Sequence, residues 1–245
     1  MALNAQDARP RSARYFLLES YLLKGGSQGP RLAAYLQEAR LGMAERLRTP
    51  APALILEALV AAHMPQVLTV SGYASLDELA ESKRVWRQDA QARAAMARWE
   101  AGDESPYETL NEILLEAAPY SPAFPPAAAD PARPPRVYEL RTYHSPAERQ
   151  LQALHERFAG PEVKIFHRTG IHPVLYSSTC IGPNMPNLTY LTPFDDLAAR
   201  EKAWAEFGAD PEWVKVRTES IARNGQVSSV IQISLFKAAA YSPVR

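Results

Sequence analysis

The chain repeats itself, and that repeat limits what it can fold into more than any other feature. AAPYSP (117–122) comes near the middle and AAAYSP (238–243) near the end, so Tyr120 and Tyr241 stand 121 positions apart. Met64-Pro65 precedes QVLTVSGY, and Met185-Pro186 precedes NLTYLTPF at the same spacing. YFLLESY (15–21) stands against VYELRTY (137–143). LDELAESKRVW (76–86) stands against FDDLAAREKAW (194–204), which pairs Trp86 with Trp204 at a spacing of 118 and asks for a small insertion. Ordered matches at nearly one spacing imply two copies of one unit.

Between the copies, residues 119–135 read PYSPAFPPAAADPARPP. Proline removes backbone donors and stiffens the chain, and this stretch has neither helical nor strand period. The reading is therefore a first domain over 14–118, a proline-rich linker over 119–135 and a second domain over 136–241, with the first thirteen residues loose.

Each copy reads β-α-β-β-α-β. In the second, a strand starts at Arg136, and Ser145 with Pro146 opens a helix carrying Leu151, Leu154, His155 and Phe158 at helical spacing. Strands follow in IHPVLYSST and LTYLTPF. Asp195 caps a helix running through Trp204, Asp210-Pro211 opens another, and a last strand spans 227–236. In the first copy Leu32, Tyr35, Leu36, Ala39, Met43 and Leu47 form a helical stripe, and residues 53–60 and 66–70 supply strands. The expected class is α+β, with two tandem ferredoxin-like domains and antiparallel sheets. Such a sheet carries helices on one face only, so its bare face needs a partner. Two bare faces in one chain can meet and enclose a cavity, as a pseudo-dimer within the chain or through a homo-oligomer.

Composition narrows the partners. Lys plus Arg and Asp plus Glu are 27 each, for a formal net charge of zero. Nucleic acid or an anionic membrane surface asks for a basic surplus, so neither is an expected partner. The longest apolar stretch, 53–63, is too short to span a bilayer and contains Glu57. The N-terminus has no apolar signal region. One cysteine, Cys180, can form neither an internal disulfide nor a structural thiolate zinc site. The expected location is cytoplasmic.

The second half resembles the NIPSNAP family. The resemblance runs over 136–241 and rests on YELRTY (138–143), GPN (182–184), the LTYL strand, LAAREKAWAEFGADPEW (197–213) and the closing strand. In the first half LLESY replaces ELRTY and DPEW has no counterpart, so its relation rests on the repeat. The resemblance implies a dimeric α/β-barrel architecture, whose superfamily also holds small antibiotic-biosynthesis-type monooxygenases and haem-binding chlorite dismutases and dye-decolorising peroxidases. It implies no set of catalytic residues.

Candidate binding residues come from alternation and turns. Tyr138, Leu140 and Thr142 share one strand face and are expected to meet the helices. Glu139, Arg141 and Tyr143 then point into the space between sheets, where a guanidinium can hold a carboxylate and a phenol can donate to an oxyanion. Pairing with charges of the other half is the competing use of Glu139 and Arg141. His172 and His167 flank Gly170 and have no partner at metal-ligand spacing. Asn184 and Asn187 suit the Gly/Pro-rich turn they occupy and can also present amides at a cavity mouth. Trp86 and Trp204 read as core, Asp210 to Trp213 as a helix start with a packing tryptophan, and Cys180 as a small hydrophobe. No phosphate loop, nucleophile elbow or CxxC occurs. No metal and no cofactor are expected. Three functions remain open: a protein binding a small apolar or aromatic molecule, acting as a cofactor-independent monooxygenase- or isomerase-like enzyme; a non-catalytic interaction or scaffold protein; and a haem-binding protein.

Overall fold

The computed structural model describes residues 12–125 and 134–245. The first half runs β1 (Tyr15–Leu22), α1 (Gln28–Tyr35), a π-helical segment (Leu36–Leu41), α2 (Ala44–Leu47), β2 (Leu54–Val60), β3 (Gln66–Tyr73), α3 (Leu76–Gln88), α4 (Ala90–Glu100) and β4 (Thr109–Ala117). The second runs β5 (Val137–His144), α5 (Glu148–Arg157), a π-helical segment (Phe158–Glu162), α6 (Val163–Arg168), β6 (Leu175–Ile181), β7 (Asn187–Phe194), α7 (Leu197–Ala209), α8 (Pro211–Asn224) and β8 (Val230–Ala238).

The elements repeat more regularly than the residues. From β2 and β6 onward each element of the second half starts 121 positions after its counterpart, and β5 starts 122 after β1. The spacing of 118 between Trp86 and Trp204 is therefore not structural, and no insertion is needed. Trp86 corresponds to Phe207, and Trp204 to Lys83. The helix caps keep the same spacing: Ser75 and Asp196 accept from the backbone N–H three residues on, as do Asp89 and Asp210. Asp196, not Asp195, is thus the cap of α7. Ser145 does not cap α5, which starts after Ala147; its hydroxyl donates to the Val227 carbonyl at 2.7 Å.

All eight strands close into one antiparallel barrel in the order β1-β3-β2-β8-β5-β7-β6-β4. Each half supplies four neighbouring strands. They join at two short seams, β2 with β8 and β4 with β6, four residue pairs in each. The halves thus meet edge to edge within one chain.

Period-two alternation then sorts the side chains into three cores. Phe16, Leu18, Leu68, Tyr138, Leu191 and Phe236, from both halves, fill the barrel. Tyr21, Leu32, Tyr35 and Trp99 pack under the first-half helices, and Tyr143, Leu154, Phe158, Phe166 and Tyr190 under those of the second. The linker's start takes part: Phe124 is fully buried with its ring 5.1 Å from Phe16. A Cβ at Gly72 would come within 2.8 Å of Ala13 and Phe124, so only glycine fits there. Residues 126–133 of the linker and most of the N-terminal stretch expected to be loose lie outside the described residues. Among the described residues no helix is long and apolar enough to cross a membrane.

Candidate functional site

The structure reverses the expected sidedness of β5. Tyr138 and Leu140 face the barrel core, whereas Glu139, Arg141 and Tyr143 face the helices. The alternation is as expected, but alternation alone does not say which face is inside. Among the described residues, side chains from both halves pack inside the barrel, which keeps a cavity of about 140 Å³ at one end. A larger cavity, about 790 Å³, lies on the opposite face, between the second-half sheet and its helices.

Its walls come from two strands, three helices and the π segment. β5 supplies Arg141 and Tyr143, α5 Arg157, the π segment Glu162, α7 Trp204 and Phe207, and α8 Trp213 and Arg217. The π segment has a local cause. Pro161 cannot donate a backbone hydrogen bond and Gly160 takes a non-helical ψ of −109°, so the α ladder breaks there. The wider turn brings residues five apart into contact: Arg157 Nε donates to Glu162 Oε2 at 2.7 Å.

Glu139 is fully buried and accepts from Arg141, Arg200 and Trp204, the last at 3.0 Å from Nε1. It anchors the site from behind rather than lining it. Arg141 lies 3.6 Å over the Trp204 ring and donates from Nη1 to Tyr143 Oη at 3.2 Å. Tyr143 Oη is 2.8 Å from Tyr190 Oη. The second terminal nitrogen of Arg141, Nη2, makes no hydrogen bond among the described residues. Arg141 and Arg200 share the one Glu139 carboxylate, and Arg200 also donates to Glu201, so Glu201 offsets the second guanidinium.

Glu162 is the other charged group of interest. Its side chain is 2% exposed. Burial pushes its carboxyl up to about 7, against the partial offset of Arg157. Burial also raises the phenols of Tyr143, Tyr176 and Tyr190, and the Glu162 charge adds to it. The cavity therefore combines a guanidinium that can hold an anion, aromatic walls, and a carboxyl poised near neutrality to take or give a proton.

The other candidate residues sit elsewhere. His172 lines a separate surface groove with Arg136, Arg168 and Lys202, its ring 5.1 Å from His167; burial and that neighbour lower its pKa. Asn184 and Asn187 edge the small interior cavity. Both shape the turn: Asn184 adopts a φ of 65°, and Asn187 Nδ2 donates to its carbonyl at 2.8 Å. Trp86 and Trp204, read as core, are half-buried and pack at the core margins, Trp204 as a wall of the large cavity, whereas Trp213 packs at the start of α8 as read. Cys180 is half-buried in β6. The sequence reading missed Arg157, Glu162 and Arg217. Gly160-Pro161 inside a helical pattern was the available signal, because such a pair breaks the ladder beside Glu162.

Haem does not suit this cavity. It asks for an axial histidine, thiolate, methionine or tyrosine. None of the first three lines it, and the Tyr143 hydroxyl is already held by Arg141 and Tyr190.

Residues 138–243 match the NIPSNAP family model. No curated protein matches the chain. Among solved structures, a candidate monooxygenase from Lactobacillus acidophilus aligns with a TM-score of 0.57 at 8% identity, over 92% of this chain and 94% of its own. Another so designated, from Fusobacterium nucleatum, gives 0.55 at 8% identity, over 93% of each chain. An anthrone oxidase-like protein gives 0.53 at 13% identity, over 97% of this chain and 94% of its own. At such identities the likeness is one of fold, and it extends across both halves. The second half of this chain, residues 138–243, is a NIPSNAP-family domain.

Proposed function

We propose that the chain is two tandem ferredoxin-like domains, 14–118 and 136–241, joined by the linker 119–135, and that the second binds a small aromatic acid between its sheet and helices. The observation that carries this reading is the free Nη2 of Arg141 in a cavity walled by Trp204, Phe207 and Trp213 and holding a near-neutral Glu162. An anionic group meets Arg141, and the ring lies among the aromatic walls. Ionised Glu162 accepts a proton from an acidic O–H or C–H of the ligand, and the electron pair stays on the ligand. In a cofactor-independent monooxygenase that pair meets dioxygen; in an isomerase the proton returns at another position. Similarity in fold to a candidate monooxygenase and an anthrone oxidase-like protein accords with the first. A lone cysteine fits a reducing, cytoplasmic setting.

A second reading, a non-catalytic interaction protein or homo-oligomer, draws on one observation. Val230, Ile231 and Ile233 of β8 are exposed beyond the seam with β2.

Arg141→Met is expected to weaken binding of 3-hydroxy-2-naphthoate about tenfold, the scale of one lost charge-assisted contact. It should leave binding of the uncharged amide unchanged. Isothermal titration calorimetry reads both, and equal affinities for the acid in wild type and variant would remove the reading.

A further inference from the structure

The first half has a cavity in the corresponding place, but its charges are exchanged. β1 and β5 align position for position, so Glu19 and Tyr21 stand where Arg141 and Tyr143 stand. The two π segments start 122 positions apart, which sets Arg40 where Glu162 stands. In the first half these two charges meet. Arg40 donates from both terminal nitrogens to Glu19 at 3.0 and 2.9 Å, and Thr69 Oγ1 adds a third bond at 3.0 Å. In the second half each charge takes another partner, and the large cavity opens. The Glu19 carboxylate is locked by its donors and is no base.

What remains in the first half suits binding without chemistry. An outer cleft of about 220 Å³ has Tyr35, Trp86 and Met96 as its apolar surface and Arg87 and Arg93 at its rim. It continues inward into a space of about 270 Å³ that shares Tyr35, Trp86 and Met96. No carboxylate lines the outer cleft. Glu19, Glu100 and Glu112 border the inner one, where Arg40 holds Glu19 at 2.9 Å and Lys83 holds Glu112 at 2.6 Å. Arg93 stands one helical turn beyond the α3–α4 corner, and Arg87 in the last turn of α3. Neither side chain makes a hydrogen bond or ion pair among the described residues. An apolar cleft of this size under two unpaired guanidinium groups matches a flat ring carrying one anionic group.

We propose that this first-half cleft is a second ligand site, one that binds a planar aromatic anion without transforming it. The ring lies against Trp86 and Met96, and the anionic group between Arg87 and Arg93. The site is independent of the second-half reading, so its test uses the full chain carrying Arg141→Met. Titration with 2-naphthoate should quench tryptophan fluorescence with one tightly bound ligand per chain, the weakened second-half cavity filling only at higher concentration, and Trp86→Phe should remove most of the quenching of the tight phase. Arg87→Ala/Arg93→Ala should weaken 2-naphthoate about tenfold or more and leave 2-naphthylmethanol unchanged. Both arginines are exposed, so the fold should survive, and Arg87→Lys/Arg93→Lys should retain part of the affinity. Equal affinities for the acid and the alcohol, or an unchanged Kd after loss of both arginines, would overturn the proposal.

Discussion

Glu19→Ala should destabilise the protein by about 3–5 kcal/mol in urea unfolding, among the largest costs expected of any single substitution here. Glu19 and Arg40 are both buried, with side chains 5% and 17% exposed. Burial by itself would raise the carboxyl pKa and lower that of the guanidinium; each is outweighed by the opposite charge. Removing Glu19 leaves the Arg40 cation in a site built for a pair. The cost is then mostly that of an uncompensated buried charge rather than of a lost bond. It follows that Glu19→Leu/Arg40→Met, which removes both charges at similar volume, should cost far less than either single change. If the double variant is as unstable as the sum of the singles, the pair is not acting as a closed ion pair.

The second large effect concerns Glu162 and pH. Its carboxyl is raised in the folded protein to about 7, above its value in an unfolded chain. The protonated form is the one the fold accommodates. The contribution is fully present below about pH 4.3 and is lost as pH rises through about 7. Its size is on the order of 3 kcal/mol. His155 and His172, whose pKa values are lowered mainly by burial, titrate in the same window with the opposite sign. Both remain in Glu162→Gln, so the difference between wild type and variant isolates Glu162. Wild type should lose about 3 kcal/mol relative to the variant between pH 4 and pH 8, measured by urea unfolding at each pH. Parallel profiles would show that Glu162 carries no such proton, and would remove the base from the proposed chemistry.

The architecture was more legible in the sequence than the site. The Tyr-Ser-Pro and Met-Pro repeats reported the duplication because they sit at the ends of strands, where spacing is fixed by the fold. The strand at 137–144 was legible from alternation and from the prolyl segment before it. Its sidedness was not. Charged Glu139 and Arg141 suggested an open space between sheets, yet eight strands closing on one another leave little open interior, and Tyr138, Leu140 and Phe236 fill much of it. Polar groups found room on the helix side, where the broken helix, α7 and α8 wall a cavity. The match of Trp86 with Trp204 misled because two amphipathic helices of similar composition align at several offsets. Their caps, Ser75 and Asp196, fix the true one. Glu162 was hidden because a carboxylate in a helical stretch ordinarily faces water. Only the fold showed it enclosed by phenols and Arg157.

Arg141 and Thr142 are neighbours on β5 that face opposite ways, Arg141 into the helix-side cavity and Thr142 into the barrel interior. Calorimetric titration of 3-hydroxy-2-naphthoate into Arg141→Met and Thr142→Val, both in the Arg87→Ala/Arg93→Ala background, separates the two locations. Binding should fall about tenfold in Arg141→Met and stay unchanged in Thr142→Val. Loss in Thr142→Val with full binding in Arg141→Met would place the ligand inside the barrel and contradict the account.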